Sequence, residues 1–237
     1  MSPAFQKRLH PVLRQSADHF ETPFHSYDEA GCRATGRRLI EAFVKLQPCR
    51  EECAVKALPN LRRLEIMQDM GFGFDCSSIP ELVLSRMAGG RGEDILFTSN
   101  NTTPEEFAAA QAEGGSIINL DDISLVEKLS PFPELISFRY NPGPRRTGNA
   151  IIGNPVESKY GLSHDQVVPA YQMAIKKGAH RFGLHTMVAS NELSYRNIVE
   201  TTRMILDIAA WVGRSTGIQF EFVNIGGGIG IPYQPDQ

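Results

Sequence analysis

The sequence predicts an α/β fold built on a parallel sheet, and three observations carry that expectation. Short β-type runs alternate with segments of helical period from residue 51 onward. The first five runs start near 51, 72, 94, 116 and 134, a repeat of about 20 residues that suits a compact strand-plus-helix unit. Polar residues gather just after each run, where a parallel α/β sheet presents its ligand site. The pattern fits either a doubly wound sheet or a closed (β/α)8 barrel, and 237 residues match one barrel of roughly 250.

Taken in order, residues 1–20 are a polar lead-in, "TPFHSY" at 22–27 reads as a strand, and 28–46 reads as a helix. Residues 1–50 therefore stand apart as a lead-in strand and helix, with 51–237 as the barrel domain. "ECAVKA" precedes a helix at 60–70, "FGFDCSS" one at 79–89, "DILFTS" one at 104–113 and "SIINL" one at 122–129. "ELISFRY" leads into the long Pro/Gly-rich segment 141–162, a helix near 163–178, "RFGLHTMV", a helix near 196–214 and "QFEFVNI". Thr103-Pro104-Glu105-Glu106 combines an N-cap residue, a first-position proline and first-turn acids, and Ser163 with Asp165 opens the next long helix similarly. Gly178 and Gly213 or Gly217 close helices.

Composition narrows the function. With 41% hydrophobic and 22% charged residues the chain can bury a real core, so global disorder is excluded. A net charge of −3 and the lack of a basic run with interleaved aromatics argue against nucleic acid. No run approaches the ~18 apolar residues of a membrane span, and the N-terminus has no secretory core, so the expectation is a cytoplasmic protein without a membrane partner. Cys32, Cys49, Cys53 and Cys76 show neither zinc-site spacing nor scaffold density, and the six histidines have no ligand spacing, so no metal is expected.

Seven strand ends carry polar candidates: Lys56; Asp75 with Ser77 and Ser78; Thr98 to Asn101; Asn119 with Asp121; Arg139 with Asn141; His185 to Ser190; and Asn224 ahead of Gly226, Gly227 and Gly228. Each alone reads as loop polarity; together they describe one polar cavity. Lys56 ends an apolar run, where burial is costly unless a partner compensates. The three glycines let backbone N–H groups turn toward an anion, although the spacing is not the dinucleotide GxGxxG fingerprint. A lysine and a phosphate cradle in one cavity point to an aldehyde cofactor with a phosphate handle, pyridoxal 5′-phosphate (PLP).

These residues resemble the barrel domain of the PLP decarboxylases of alanine-racemase fold, most closely the diaminopimelate decarboxylases. "TPFHSY", "AVKALPN", "GFGFDCSSIPEL", "DILFTSN", "IINLDD", "FRYNPG", "SKYG", "GLHTMVAS" and "GGGIGIPY" follow the family's order across residues 22–233. The resemblance implies a PLP-binding (β/α)8 TIM barrel, a Schiff base on Lys56, a phosphate held by Ser190 and Gly226 to Gly228, and charged surroundings from Asp75, Glu81, Arg139 and Lys159, with Asn119 in support. It also implies an amino-acid substrate, meso-diaminopimelate decarboxylated to L-lysine, and a homodimer. Carboxynorspermidine, ornithine or a non-catalytic PLP-binding barrel are the alternatives.

Two departures stand out. The family's second histidine of the GxHxHxGS segment, which stacks on the pyridine ring, is Met187 here, while His185 stays as a proton donor or hydrogen-bond partner and Ala189 replaces a glycine. The chain also ends at residue 237 with seven barrel strands, ahead of the family's last strand, its Glu-Pro-Gly-Arg segment and its C-terminal β domain, which implies an incomplete barrel with little turnover of its own.

Overall fold

The computed structural model describes residues 3–46, 48–145 and 160–233. Seven strands, β1 (Glu52–Ala54), β2 (Gly73–Cys76), β3 (Gly92–Phe97), β4 (Ser116–Leu120), β5 (Leu135–Tyr140), β6 (Arg181–Thr186) and β7 (Phe220–Asn224), form one sheet in sequential order. Every neighbouring pair is parallel. Sequential order selects the singly wound barrel over the doubly wound sheet, whose strand order reverses at a switch point. Among the described residues β1 and β7 are the two edges, so the barrel is open between them.

The helices fall where capping and period place them. Two precede the sheet, α1 (Pro3–Phe20) and α2 (Glu29–Ala42), and six follow successive strands: α3 (Leu61–Asp69), α4 (Ile79–Met87), α5 (Pro104–Gln111), α6 (Leu125–Lys128), α7 (His164–Lys176) and α8 (Tyr195–Thr216). Asn60 accepts from the Arg63 N–H at 3.1 Å to start α3. Thr103 and Glu106 close a reciprocal capping box on α5 at 3.3 and 2.9 Å. The Ser163 N–H donates to Gln166 Oε1 at 3.0 Å at the start of α7, and α8 stops at Gly217.

Two expectations about the lead-in are corrected. Residues 22–27 form no strand, because no described strand lies alongside to complete a ladder; the segment connects two helices. The polar lead-in is itself the helix α1, and its core-facing signal is faint because Leu9 is its one buried residue. Arg8 Nε donates to Asp28 Oδ1 at 3.0 Å, and Asp28 also accepts from the Gly31 N–H at 3.1 Å, so one carboxylate both caps α2 and ties α1 to it. The expected strand-and-helix division of residues 1–50 becomes a helix pair with a short 3-10 turn at Val44–Leu46.

Strand alternation sorts the core into two layers. Phe74, Ile95, Phe97, Ile118, Leu120, Ile136, Phe138 and Leu184 face the helices in the main core. Leu96, Ile117 and Leu135, with Phe222 against them, form a separate apolar cluster on the barrel's inner face. A side chain at Gly183 would place its Cβ 2.0 Å from the Phe222 ring, so only glycine lets that ring cross β6 and complete the floor.

Below that floor lies Glu52. Its Oε1 accepts from Arg50 Nε at 2.8 Å while Oε2 is buried without a hydrogen-bond partner among the described residues. Burial pushes this carboxyl up to about 7 despite the opposing Arg50 charge. The folded state therefore holds an extra proton between the ordinary carboxylate range and that value, so stability falls as pH rises through this window. Glu52→Gln removes the proton release: the drop in melting temperature between about pH 5 and about pH 8, followed by circular dichroism, should be smaller than in the parent. An unchanged or steeper pH dependence would contradict this assignment.

Candidate active site

The inner-face positions just above the floor are polar, and they climb each strand in steps of two. Leu96 gives way to Thr98, Ile117 to Asn119 and Asp121, Leu135 to Ser137 and Arg139, Gly183 to His185 and Met187, and Phe222 to Asn224. Asn119 pairs with Ser137 across β4 and β5, Arg139 with His185 across β5 and β6, and His185 with Asn224 across β6 and β7. Apolar floor, hydrogen-bonded middle and charged mouth thus follow from the pleat alone.

At the mouth, Lys56 projects from a 3-10 turn, Val55–Ala57, that directly follows β1, and it is exposed. Asp75 on β2 pairs with Ala54, two residues before Lys56, which brings the carboxylate to the same inner edge. Burial pushes Asp75 up to about 6, with Glu81 adding to the shift and the charges of Lys56 and Arg139 opposing it. Arg139 is held down by burial, with Asp121 and Asp75 opposing. Its Nη2 donates to the Met187 carbonyl at 3.4 Å, and its guanidinium carbon lies 5.7 Å from the centre of the Tyr160 ring. Asp121 is 5% exposed, and its Oδ1 is a buried acceptor without a hydrogen-bond partner among the described residues.

The second half of the mouth is made by the loops after β6 and β7. The Glu192 N–H donates to the Gly228 carbonyl at 2.6 Å and the Gly230 N–H to the Glu192 carbonyl at 2.9 Å, a short parallel bridge that zips the loops together. Asn224 Oδ1 accepts from the Gly226 N–H at 2.8 Å and turns the chain out of β7. Gly226 and Gly228 have φ of 75° and 84°. A Cβ on Gly226 would lie 2.4 Å from the Thr186 carbonyl oxygen and one on Gly228 2.7 Å from the Ser190 Cα, whereas Gly227 faces open space. The Gly226 Cβ position is also 3.0 Å from Met187 Sδ, which links this half of the mouth to the Arg139 half.

The structure therefore brings together Lys56, Asp75, Arg139, His185, Asn119, Met187, Ser190 and Gly226 to Gly228. Glu81 lies close enough for its charge to act on Asp75, and its carboxylate accepts from the Ser77 N–H at 3.1 Å and the Ser78 hydroxyl at 2.9 Å, which shapes the turn between β2 and α4. Lys159 lies outside the described residues. Thr98, one of the strand-end candidates, joins the site, and Ser137 is a site neighbour that the linear pattern did not single out, although its alternation with Arg139 inside the apolar run "LISFRY" is a period-two signal for the inner face. Among the described residues no group of His, Cys, Asp and Glu could hold a metal, and no helix is long and apolar enough to cross a membrane. An amine at one rim, an open glycine turn at the other, a guanidinium between them and an unspent buried acceptor suit a small anionic aldehyde.

A model of the pyridoxal-binding domain of the pyridoxal-dependent decarboxylases matches residues 34–237. The chain belongs to this family. PLP is the cofactor of this pyridoxal-binding domain. The domain is 39% identical over its whole length to Protein TabA of Pseudomonas amygdali pv. tabaci, covering 56% of that protein. Over 93% of its length it is 34% identical to a diaminopimelate decarboxylase of Thermoplasma acidophilum, covering 54% of it. The solved diaminopimelate decarboxylase of M. jannaschii superposes with a TM-score of 0.85 at 26% identity, over 94% of this chain and 55% of that one. The chain thus spans about half the length of the curated relatives it matches.

Proposed function

We propose that this pyridoxal-binding domain serves a PLP-dependent amino-acid decarboxylase, with meso-diaminopimelate as substrate and L-lysine as product. The observation that carries the reading is Lys56 at the end of β1, facing Asp75 and Arg139 across one polar mouth, in a chain of the pyridoxal-binding family. When bound, PLP supplies the electron sink that accepts the pair left as carbon dioxide departs. Lys56 would offer the primary amine that holds the cofactor's aldehyde, and its exposed position leaves it within reach of a substrate entering the mouth. Ser190 and the N–H groups of Gly227 and Gly228 would hold the phosphate, while the Gly226 N–H, engaged by Asn224 Oδ1, shapes the turn that presents them.

Arg139, fixed through the Met187 carbonyl, orients anionic groups in the mouth, and Asp75 supplies the opposing charge beside Lys56. Met187 would cover a ring face of the cofactor through its polarizable sulfur, in the place where the family resemblance implies a histidine. His185 lies beneath the mouth as a polar neighbour of the bound groups. The working protein is proposed to be a cytoplasmic homodimer.

A second reading changes the substrate and keeps the chemistry. Protein TabA, at 39% identity, carries a name that assigns no substrate, and Met187 alters the wall of the mouth. A diamino acid other than diaminopimelate, such as ornithine or carboxynorspermidine, would suit this reading. The deciding experiment titrates the protein with PLP, reduces with borohydride, maps the modified peptide, and then follows carbon dioxide release from each diamino acid. Modification of Lys56 is expected, with whatever carbon dioxide the chain releases coming from meso-diaminopimelate; release from another diamino acid alone selects the second reading. Absence of any lysine adduct at saturating PLP would overturn both.

A further inference from the structure

Four side chains on the inner face form a hydrogen-bonded set just beneath the mouth. Asn119 Nδ2 donates to Thr98 Oγ1 at 3.0 Å and lies 3.0 Å from His185 Nδ1, while its Oδ1 accepts from the Ser137 hydroxyl at 2.8 Å. Asn119 is 1% exposed, Ser137 0% and His185 8%, so none of these groups can turn to water for an alternative partner. With its oxygen engaged by Ser137, the amide directs one N–H to Thr98 and the other to the imidazole. A donor cannot face a donor, so Nδ1 is the bare nitrogen and Nε2 carries the proton.

The surroundings oppose a second proton. The groups reaching His185 from the packed strands are neutral Asn119 and Thr98 on the β4 and β3 side, Asn224 as its β7 register partner, and Arg139 beside it on β5. The one charge among them is positive. Burial first and Arg139 second push the imidazole down to about 3, which agrees with the geometry.

We infer that Asn119 is a positioning residue that holds His185 neutral with its proton on Nε2, so that His185 meets a ligand as a fixed hydrogen-bond donor and not as a proton-transfer acid. The tautomer follows from the hydrogen-bond set alone; its consequence for catalysis rests on the PLP decarboxylase reading. Of the two roles expected for His185, proton donor or hydrogen-bond partner, this selects the second. A group unable to take up a second proton at neutral pH has none to deliver and regain in turnover.

The test is long-range proton–nitrogen correlation on protein labelled with nitrogen-15 in histidine, with the His185→Gln spectrum used to assign the resonance, recorded with and without PLP. The expected result is an Nε2 signal of protonated type and an Nδ1 signal of bare type, both unmoved between about pH 5 and about pH 8. A proton on Nδ1, or a titration near the ordinary histidine value of about 6.5, would overturn the inference. In Asn119→Asp the near-isosteric carboxylate accepts where the amide donated, so the Nδ1 signal should shift from bare to protonated type. An unchanged Nδ1 signal in a folded variant would equally refute the positioning role, and if the variant fails to fold, the parent spectrum still decides. The same samples separate the two readings: the expected tautomer without PLP binding sinks the cofactor proposal alone, and PLP binding with the other tautomer sinks this one alone.

Discussion

Lys56→Ala should abolish the visible absorbance band near ~420 nm that lysine-bound pyridoxal gives, and borohydride should then leave residue 56 unlabelled. Any decarboxylation measurable in the parent should fall by roughly 10³-fold or more, the scale seen when a nucleophile that acts within a concerted set is removed. The loss is separable from unfolding because Lys56 is exposed and its 3-10 turn is held by backbone, with the Leu58 N–H donating to the Val55 carbonyl at 3.2 Å. An exposed side chain replaced away from any cap or core changes stability by about 0.5 kcal/mol or less. Lys56→Arg sharpens the test. It restores a positive charge opposite Asp75 but offers a guanidinium that stays protonated, so the band should remain absent. A band that persists in either variant, with the adduct mapped to another lysine, would move the cofactor away from β1.

The second large effect belongs to the glycine turn. Gly226→Ala and Gly228→Ala should each weaken PLP binding by about tenfold or more, whereas Gly227→Ala should leave the backbone and the melting temperature close to the parent. The contrast follows from what a methyl group meets. At Gly226 it would meet the Thr186 carbonyl oxygen at 2.4 Å, and at Gly228 the Ala189 carbonyl oxygen at 2.6 Å, so backbone must move in both cases; at Gly227 nothing lies within 4 Å. The φ values of 75° and 84° at the two crowded positions add strain of about 1–3 kcal/mol for a residue with a side chain. Since 1.4 kcal/mol is a factor of ten in binding, strain confined to this loop reaches the stated loss without unfolding the barrel. The displaced backbone at Gly228 is that of Ala189 and Ser190, so the same substitution also moves the serine proposed to share the phosphate. Isothermal titration with PLP, paired with thermal melts, would refute the scheme if all three variants bound alike.

Local pattern was enough to locate most of this molecule. The seven strands and the six helices that follow them are each announced by a short-range signal: apolar runs, the Thr103 to Glu106 capping box, and Gly217 at the end of α8. The same holds for Lys56, Asp75, Arg139 and the three glycines, because a parallel sheet sends the residues just past its strands to one end, whatever the details of packing. Where sequence reading failed, the deciding contact was distant or weak. "TPFHSY" has strand composition but no described strand beside it, and α1 keeps a single buried residue, too little to mark a core-facing stripe.

Glu81 shows the same division at the scale of one side chain. The resemblance implied a supporting charge, and Glu81 does act on Asp75, but that its two carboxylate oxygens also bind Ser77 and Ser78 in the turn before α4 is something only the turn geometry reveals. The Thr98, Asn119, Ser137 and His185 set draws on the inner faces of four strands, with Asn119 and His185 separated by 66 positions. Period-two alternation says that such residues point inward. Which hydroxyl takes the amide oxygen, and therefore which imidazole nitrogen is left bare, depends on the register of β4 against β5 and β6, and that is settled by the closing curvature of the sheet rather than by any stretch of chain.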